Sequence, residues 1–265
     1  MSGAGPAGAP ATPPFPVALW RTLHAERLKL RGTLALWMCV VAPALVVAVV
    51  VLQLVFSELG RPLPPEQAWT RLSMGVLALW SFLMLPLFVT LEAALLAQLE
   101  HGGNQWRRLL ALPLPREVHY LAKLIALFGL LAAAQAVVVV LIPVAGAVLM
   151  LCKPGLGLAG AAPWPLLLAV AAKGLLASLL VVALHTWIAL RWRSFAVACG
   201  TGMGATVMGF LIGQSPRYGS WYPWSLPVQT MGEGSDVGRI LAFSAIAAVL
   251  VTLAGLWEFR RSDHD

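Results

Sequence analysis

EHGGNQWRRLLALPLPREVHYLAK, residues Glu100 to Lys123, joins two long apolar runs and decides how the rest of the chain is read. Trp106, Leu109, Leu110 and Pro113 recur at i, i+3, i+4 and i+7, which is one face of a short helix. Gln105, Arg107 and Arg108 fall on the other side. Gly102, Gly103 and Asn104 break the helix before it, and Pro113 and Pro115 stop it. A plain tether between membrane spans needs no amphipathic turn held between two breakers. A surface that docks onto a soluble partner does.

The apolar runs on either side belong to a chain of 265 residues that is 60% hydrophobic and 11% charged, with a mean hydropathy of +0.83. Soluble domains carry about 25% charged residues, and a soluble core of this length has no room for so much apolar surface. The lipid bilayer is therefore the expected solvent. Six apolar segments stand near Leu34–Phe56, Ser73–Leu99, Tyr120–Leu151, Pro165–Leu190, Phe195–Gly213 and Val237–Trp257. Each meets or nearly meets the roughly 20 residues that span the hydrocarbon core. Backbone polar groups cannot stay unpaired in lipid, so the segments are predicted to be helices. The expected fold is an all-α polytopic membrane protein: a single six-span domain over residues 17–265.

Ahead of the first span, Val17 to Arg31 reads as an imperfectly amphipathic helix lying in the membrane interface. Leu19, Trp20, Leu23 and Leu30 cluster on one face, while Arg21, Lys29 and Arg31 point elsewhere. Residues 1–16, MSGAGPAGAPATPPFP, read as a disordered tail, and no signal peptide is expected because no basic region leads into an apolar core with a cleavage site.

The net charge of +7 sits at the ends of the apolar runs and forms no basic stripe interleaved with aromatics, so nucleic acid is not an expected partner. Twelve lysines and arginines fall in the N-terminal region, in the Glu100–Lys123 connector, at Arg191 and Arg193, and at Arg260 and Arg261. Five fall in the opposite loops, at Arg61, Arg71, Lys153, Arg217 and Arg239. The positive-inside rule then puts both termini and the connector in the cytoplasm. On the other side, Trp221 to Pro227, WYPWSLP, is rich in rings that favour the headgroup level and is expected to cap the outer leaflet or dip into it.

No catalytic constellation is visible. The five histidines form no HExxH, no Gly-x-Ser-x-Gly elbow is present, and no lysine is followed by Ser or Thr, which excludes a GxxxxGK[ST] phosphate loop. Cys39, Cys152 and Cys199 are isolated, so neither a disulfide framework nor a zinc site is indicated. Glu92 and Lys173 lie inside the second and fourth spans. Ionisable groups there either line a polar path, find a partner, or snorkel to the nearer interface. In the fifth span, Gly200/Gly204 and Gly209/Gly213 have GxxxG spacing, suited to close helix packing within the subunit or between subunits. Pro43, Pro86 and Pro143 each fall inside a span and are expected to kink it.

These residues together resemble the six-span permease subunits of ABC type-2 exporters, above all the group that includes lantibiotic and peptide-antibiotic immunity permeases. Glu26 and Lys29 in HAERLKLR match a Glu-x-x-Lys pattern in the helix before the first span. Glu100, Trp106, Leu110, Pro113, Arg116, Tyr120 and Lys123 match the second-loop pattern, and Tyr222, Pro223, Trp224 and Pro227 match the outer segment before the last span. The resemblance covers almost everything after the tail.

It implies a coupling helix near Asn104–Leu112 seated on a separate cytoplasmic ABC ATPase dimer. Glu100, Gln105, Trp106, Arg107, Arg108, Leu109, Leu110, Pro113 and Arg116 would form the docking region. Trp20, Glu26 and Lys29 would belong to a helix on the inner leaflet, and Glu92 and Lys173 would stand on the translocation path. ATP and magnesium would be bound by the partner and none by this chain. The resemblance further implies a second permease subunit, identical or related, in a bacterial plasma membrane, and an amphiphilic cargo such as a peptide antibiotic. Two other classes stay open from the residues alone. One is a membrane-embedded enzyme using Glu92, His185 or His101; the other is a membrane anchor for a cytoplasmic complex.

Overall fold

The computed structural model describes residues 13–57, 62–101, 115–192, 194–232 and 234–261, and among them no strand occurs. Helix α1 spans Phe15–Leu30 and α2 spans Leu34–Phe56. The second span runs as α3, Pro65–Leu79, a π-helical turn at Trp80–Met84, and α4, Leu85–His101. Then come α5, Arg116–Cys152, α6, Trp164–Ala177, α7, Leu179–Arg191, and α8, Phe195–Gly213. A short turn α9, Leu226–Gln229, precedes α10, Val237–Arg261. Five of these paths are long and apolar enough to cross a bilayer, and the bent pair α6–α7 makes up a sixth.

The helices pack α5 along α2 and α1, α7 along α10, and α4 along α7 and α8. Trp80, Leu131, Ile142 and Leu149 are fully buried between them, and the Trp80 indole N–H donates to Gln135 Oε1 at 2.7 Å to join the π turn to α5. The outer surface carries exposed Trp37, Leu52, Phe56, Leu151, Val207, Leu211 and Leu250. An apolar surface this broad suits hydrocarbon and not water.

The expected bounds of the first and fifth spans coincide with α2 and α8. Elsewhere the helices depart from expectation for identifiable reasons. Helix α1 begins at Phe15 and takes in Pro16, placed in its first turn, where the missing N–H costs nothing; the expected tail therefore gives up two residues. The second span begins at Pro65, eight residues before Ser73, because its first turns pack Ala68, Trp69 and Leu72 into the core. Its π turn closes with Leu85 N–H donating to Trp80 O, one residue ahead of Pro86, which has no N–H to continue the regular ladder. Helix α5 begins at Arg116. Its 37 residues make it roughly 55 Å long, against about 30 Å of hydrocarbon.

The fourth span is not one helix. It bends by 41° at Ser178. Ser178 Oγ donates to Gly174 O at 2.6 Å, and Ser244 of α10 enters the gap in the ladder. Its hydroxyl donates to Ala177 O at 2.8 Å and accepts from Leu180 N–H at 3.3 Å. A side chain inserted into the i→i−4 ladder is a standard cause of a sharp bend.

At the end of the bundle remote from the chain termini, Lys153 Nζ donates to Leu54, Val55 and Ser57 carbonyls at 2.8, 2.6 and 2.5 Å and closes the C-terminus of α2. Gly157 (φ +84°) touches the Leu63 backbone, where a side chain has neither the dihedral nor the room. The aromatic stretch dips into the bundle. Tyr222 OH donates to Ala205 O at 2.9 Å, eight residues or roughly 12 Å along α8 from Gly213. Gly209 and Gly213 receive Tyr222, Trp224 and Ser225, and Gly202 leaves no space for a Cβ beside Thr90 and His185. Gly200 and Gly204 face outward with open space beside them, so the two GxxxG pairs serve different surfaces.

Replacing Ser244 with Ala leaves Leu180 N–H and Ala177 O without their bridging hydroxyl. The purified protein is expected to lose about 1–3 kcal/mol, read as a lower melting temperature. An unchanged melting curve shows that the bend does not depend on this insertion.

Candidate functional site

The connector's residues 102–114 lie outside the described residues, and with them Gln105, Trp106, Arg107, Arg108, Leu109, Leu110 and Pro113. What is described is the platform from which the connector leaves. Glu100 stands in the last turn of α4 and Arg116 opens α5.

The platform is built on α1. The helix buries Ala18, Thr22, Glu26 and Leu30, a strict i, i+4 stripe, against the start of α5. The expected apolar face is rearranged: Leu30 is buried while Trp20 is 72% exposed. The stripe carries Glu26 inward, where its side chain is 3% exposed. Lys123 Nζ, also 3% exposed, lies 2.8 Å from Glu26 Oε2, and Lys29 Nζ lies 2.8 Å from Glu26 Oε1. Lys123 also donates to Leu96 O at 3.0 Å, close to the end of α4. One ammonium thus ties together the helix before the first span, the end of the second span and the start of the third.

Burial alone pushes the Glu26 carboxyl up, but the Lys123 and Lys29 ammoniums outweigh it and hold the group below its ordinary value of 4.5. Further pairs brace the same end. Arg260 Nε meets Glu117 Oε1 at 2.6 Å, Arg191 pairs with Glu258, and Trp187 Nε1 donates to Glu258 Oε2 at 2.7 Å. Tyr120 is buried against Gly255 and Phe259. The last span is thereby fastened to the first turns of α5.

Glu26 and Lys29 meet, as i, i+3 spacing allows, and Lys123 joins them from 97 residues along the chain. The signal for that second meeting was an acid in one motif and a base in another, with nothing to link the two. Glu92 is fully buried on α4 and neither of its oxygens has a hydrogen-bond partner, so no bond joins it to Lys173, which is half-buried on α6. His185 is held in a polar cluster that the sequence reading missed. The Trp224 indole N–H donates to His185 Nε2 at 3.1 Å, Thr90 Oγ1 lies 3.1 Å from the same nitrogen, and the rings of His185 and Trp224 meet edge to face. An indole N–H only donates, so Nε2 is the acceptor here. Among the described residues no three His, Cys, Asp or Glu side chains gather as metal ligands.

Removing one member of a buried ion pair leaves the other uncompensated. Glu26→Gln is expected to cost about 3–5 kcal/mol of stability, seen as a lower melting temperature. Because the folded-state pKa of Glu26 is lowered, the pair's contribution is full above about pH 4.5 and is lost as the pH falls through the lowered value. Acid should therefore narrow the gap between the wild type and Glu26→Gln in melting curves. A gap that is constant down to pH 3, or absent at pH 7, contradicts this assignment.

The sequence pattern of the family described as ABC-2 family transporter protein matches residues 22–213, from within α1 to the end of α8. No curated protein matches the chain. With a family match over well more than half its length and a bundle of membrane-spanning helices, the chain belongs to the ABC-2 family of transporter membrane proteins.

Proposed function

We propose that this chain is the permease subunit of an ABC exporter, with residues 17–265 acting as one six-span permease domain in a bacterial plasma membrane and both termini in the cytoplasm. Membership of the ABC-2 family implies association with an ATP-binding subunit. In this reading the connector around Asn104–Leu112 docks on a cytoplasmic ATPase dimer, which carries the ATP and magnesium. A second permease copy, identical or related, completes the pathway. The cargo is an amphiphile, and export of a peptide antibiotic as self-immunity is its most specific form.

The observation that carries the reading is the three-way anchor at Lys123. Helix α4 ends five residues after Leu96, and α5 begins seven residues before Lys123. Both roots of the connector are therefore held to the same ammonium, and through Glu26 to α1. A force applied to the connector reaches α1, α4 and α5 together. Helix α5 then carries it along roughly 55 Å of unbroken helix to the far side of the bundle.

Trp106→Ala, or Arg107→Glu with Arg108→Glu, should lower ATP-driven export at least tenfold in vesicles that also contain the ATPase that co-isolates with the chain. The amount of protein in the membrane should stay the same. Full export by these variants removes the docking role. A Trp106→Cys variant that reacts with an impermeant maleimide on intact cells, without permeabilisation, removes the orientation.

A further inference from the structure

Glu92 is the group that the architecture leaves without a counterpart. It sits nine residues before the end of α4, fully buried, with both carboxyl oxygens free of hydrogen-bond partners. The other acidic side chains described in this half of the bundle are matched: Glu26 by Lys29 and Lys123, Glu117 by Arg260, and Glu258 by Arg191. An ionised carboxylate inside a membrane is costly unless a cation shares its site. Among the described residues none lies within hydrogen-bonding distance of Glu92.

A cleft lies near Glu92, which is itself fully buried. Leu95 lies one turn along α4 from Glu92 on the same face. Opposite, on α2, Ala35 and Cys39 are one turn apart, and the Cys39 thiol donates to Ala35 O at 3.5 Å and to Leu130 O at 3.6 Å. Cys39 is also within electrostatic reach of Glu92. Ala35 and Leu95, with Thr33, Leu34, Gln98 and Leu99, line a cleft of about 210 Å³ between the start of α2 and the end of α4. Leu95, a lining residue of the cleft, thus stands about one helical turn, roughly 5 Å, along α4 from Glu92. The walls of the cleft are mostly aliphatic and its mouth carries the polar Thr33 and Gln98.

The geometry points to a binding site for a cationic amphiphile, whose alkyl part lies in the α2–α4 cleft and whose ammonium or guanidinium reaches Glu92. The assignment rests on the exporter reading only in naming such a molecule as cargo; binding itself requires no ATPase. Glu92 is fully buried and does not line the cleft, so the ligand's arrival must part α2 from α4 near that turn.

The test uses the full chain in phosphatidylcholine nanodiscs and a diazirine-bearing dodecylammonium photoprobe, with a diazirine-bearing dodecanol as the uncharged control. Mass spectrometry should place the cationic label on residues 33–39 and 95–99, and excess dodecylammonium should remove it. Glu92→Gln should reduce that labelling at least tenfold, and Glu92→Asp should retain most of it. Leu95→Trp, which fills the cleft and keeps the carboxylate, should abolish labelling even if Glu92→Gln folds poorly. Equal labelling by the uncharged probe would mean that the cleft takes acyl chains without regard to charge and would overturn the site. So would wild-type labelling of a folded Glu92→Gln protein. A chain that passes these tests but drives no export loses the transport reading and keeps the site. One that exports while failing them loses only the site.

Discussion

A single buried ion pair holds one end of this molecule together. Glu26 and Lys123 are almost wholly removed from solvent and meet at 2.8 Å. Taking both charges out of water is costly, and the cost is offset only if each finds its partner and its remaining hydrogen bonds are made. Lys29 donates to the second Glu26 oxygen, and Leu96 O accepts a hydrogen bond from Lys123. These bonds leave α1, α4 and α5 little freedom to move separately. The described ends of α4 and α5, between which the connector runs in sequence, are both tied to that joint.

Away from this joint the helices are deliberately irregular. The π turn at Trp80–Met84, the bend at Ser178 and the dipping aromatic segment all lie beyond the reach of the ion pairs. At the break in the fourth span Ser244 bonds the backbone on both sides, and non-regular backbone at membrane depth needs such a partner. Gln135 and His185 instead hold the indole N–H groups of Trp80 and Trp224. The bundle thus combines a braced end with a body of broken helices, and Glu92 lies where the two meet, on α4 between the Leu96 anchor and the π turn.

The all-helical membrane fold was legible because length and hydropathy carry it: α2 and α8 begin and end where their apolar runs do. The bend in the fourth span was not legible. Gly174 and Ser178 are ordinary in a membrane helix, and the hydroxyl that opens the ladder comes from Ser244, 67 residues beyond Ala177. The two GxxxG pairs share a spacing and face different ways, since spacing fixes which residues share a face and not what that face meets. The amphipathic pattern of α1 puts Trp20 and Leu30 on one face, while tertiary packing turns Glu26 and Leu30 inward and leaves Trp20 outside. Of the candidate site, Glu26, Lys29 and Lys123 were visible as members of separate patterns. Their meeting depends on how α1 lies across α5, which no local pattern records.

A double-mutant cycle on Glu26 and Lys123 tests the joint most directly. The singles Glu26→Gln and Lys123→Met and the combined variant would be compared by melting in the same detergent. If the two charges exist as one buried unit, the double variant loses far less stability than the sum of the singles, because neither charge is left alone in the interior. Losses that simply add would contradict the account and return α1 and α5 to independent elements.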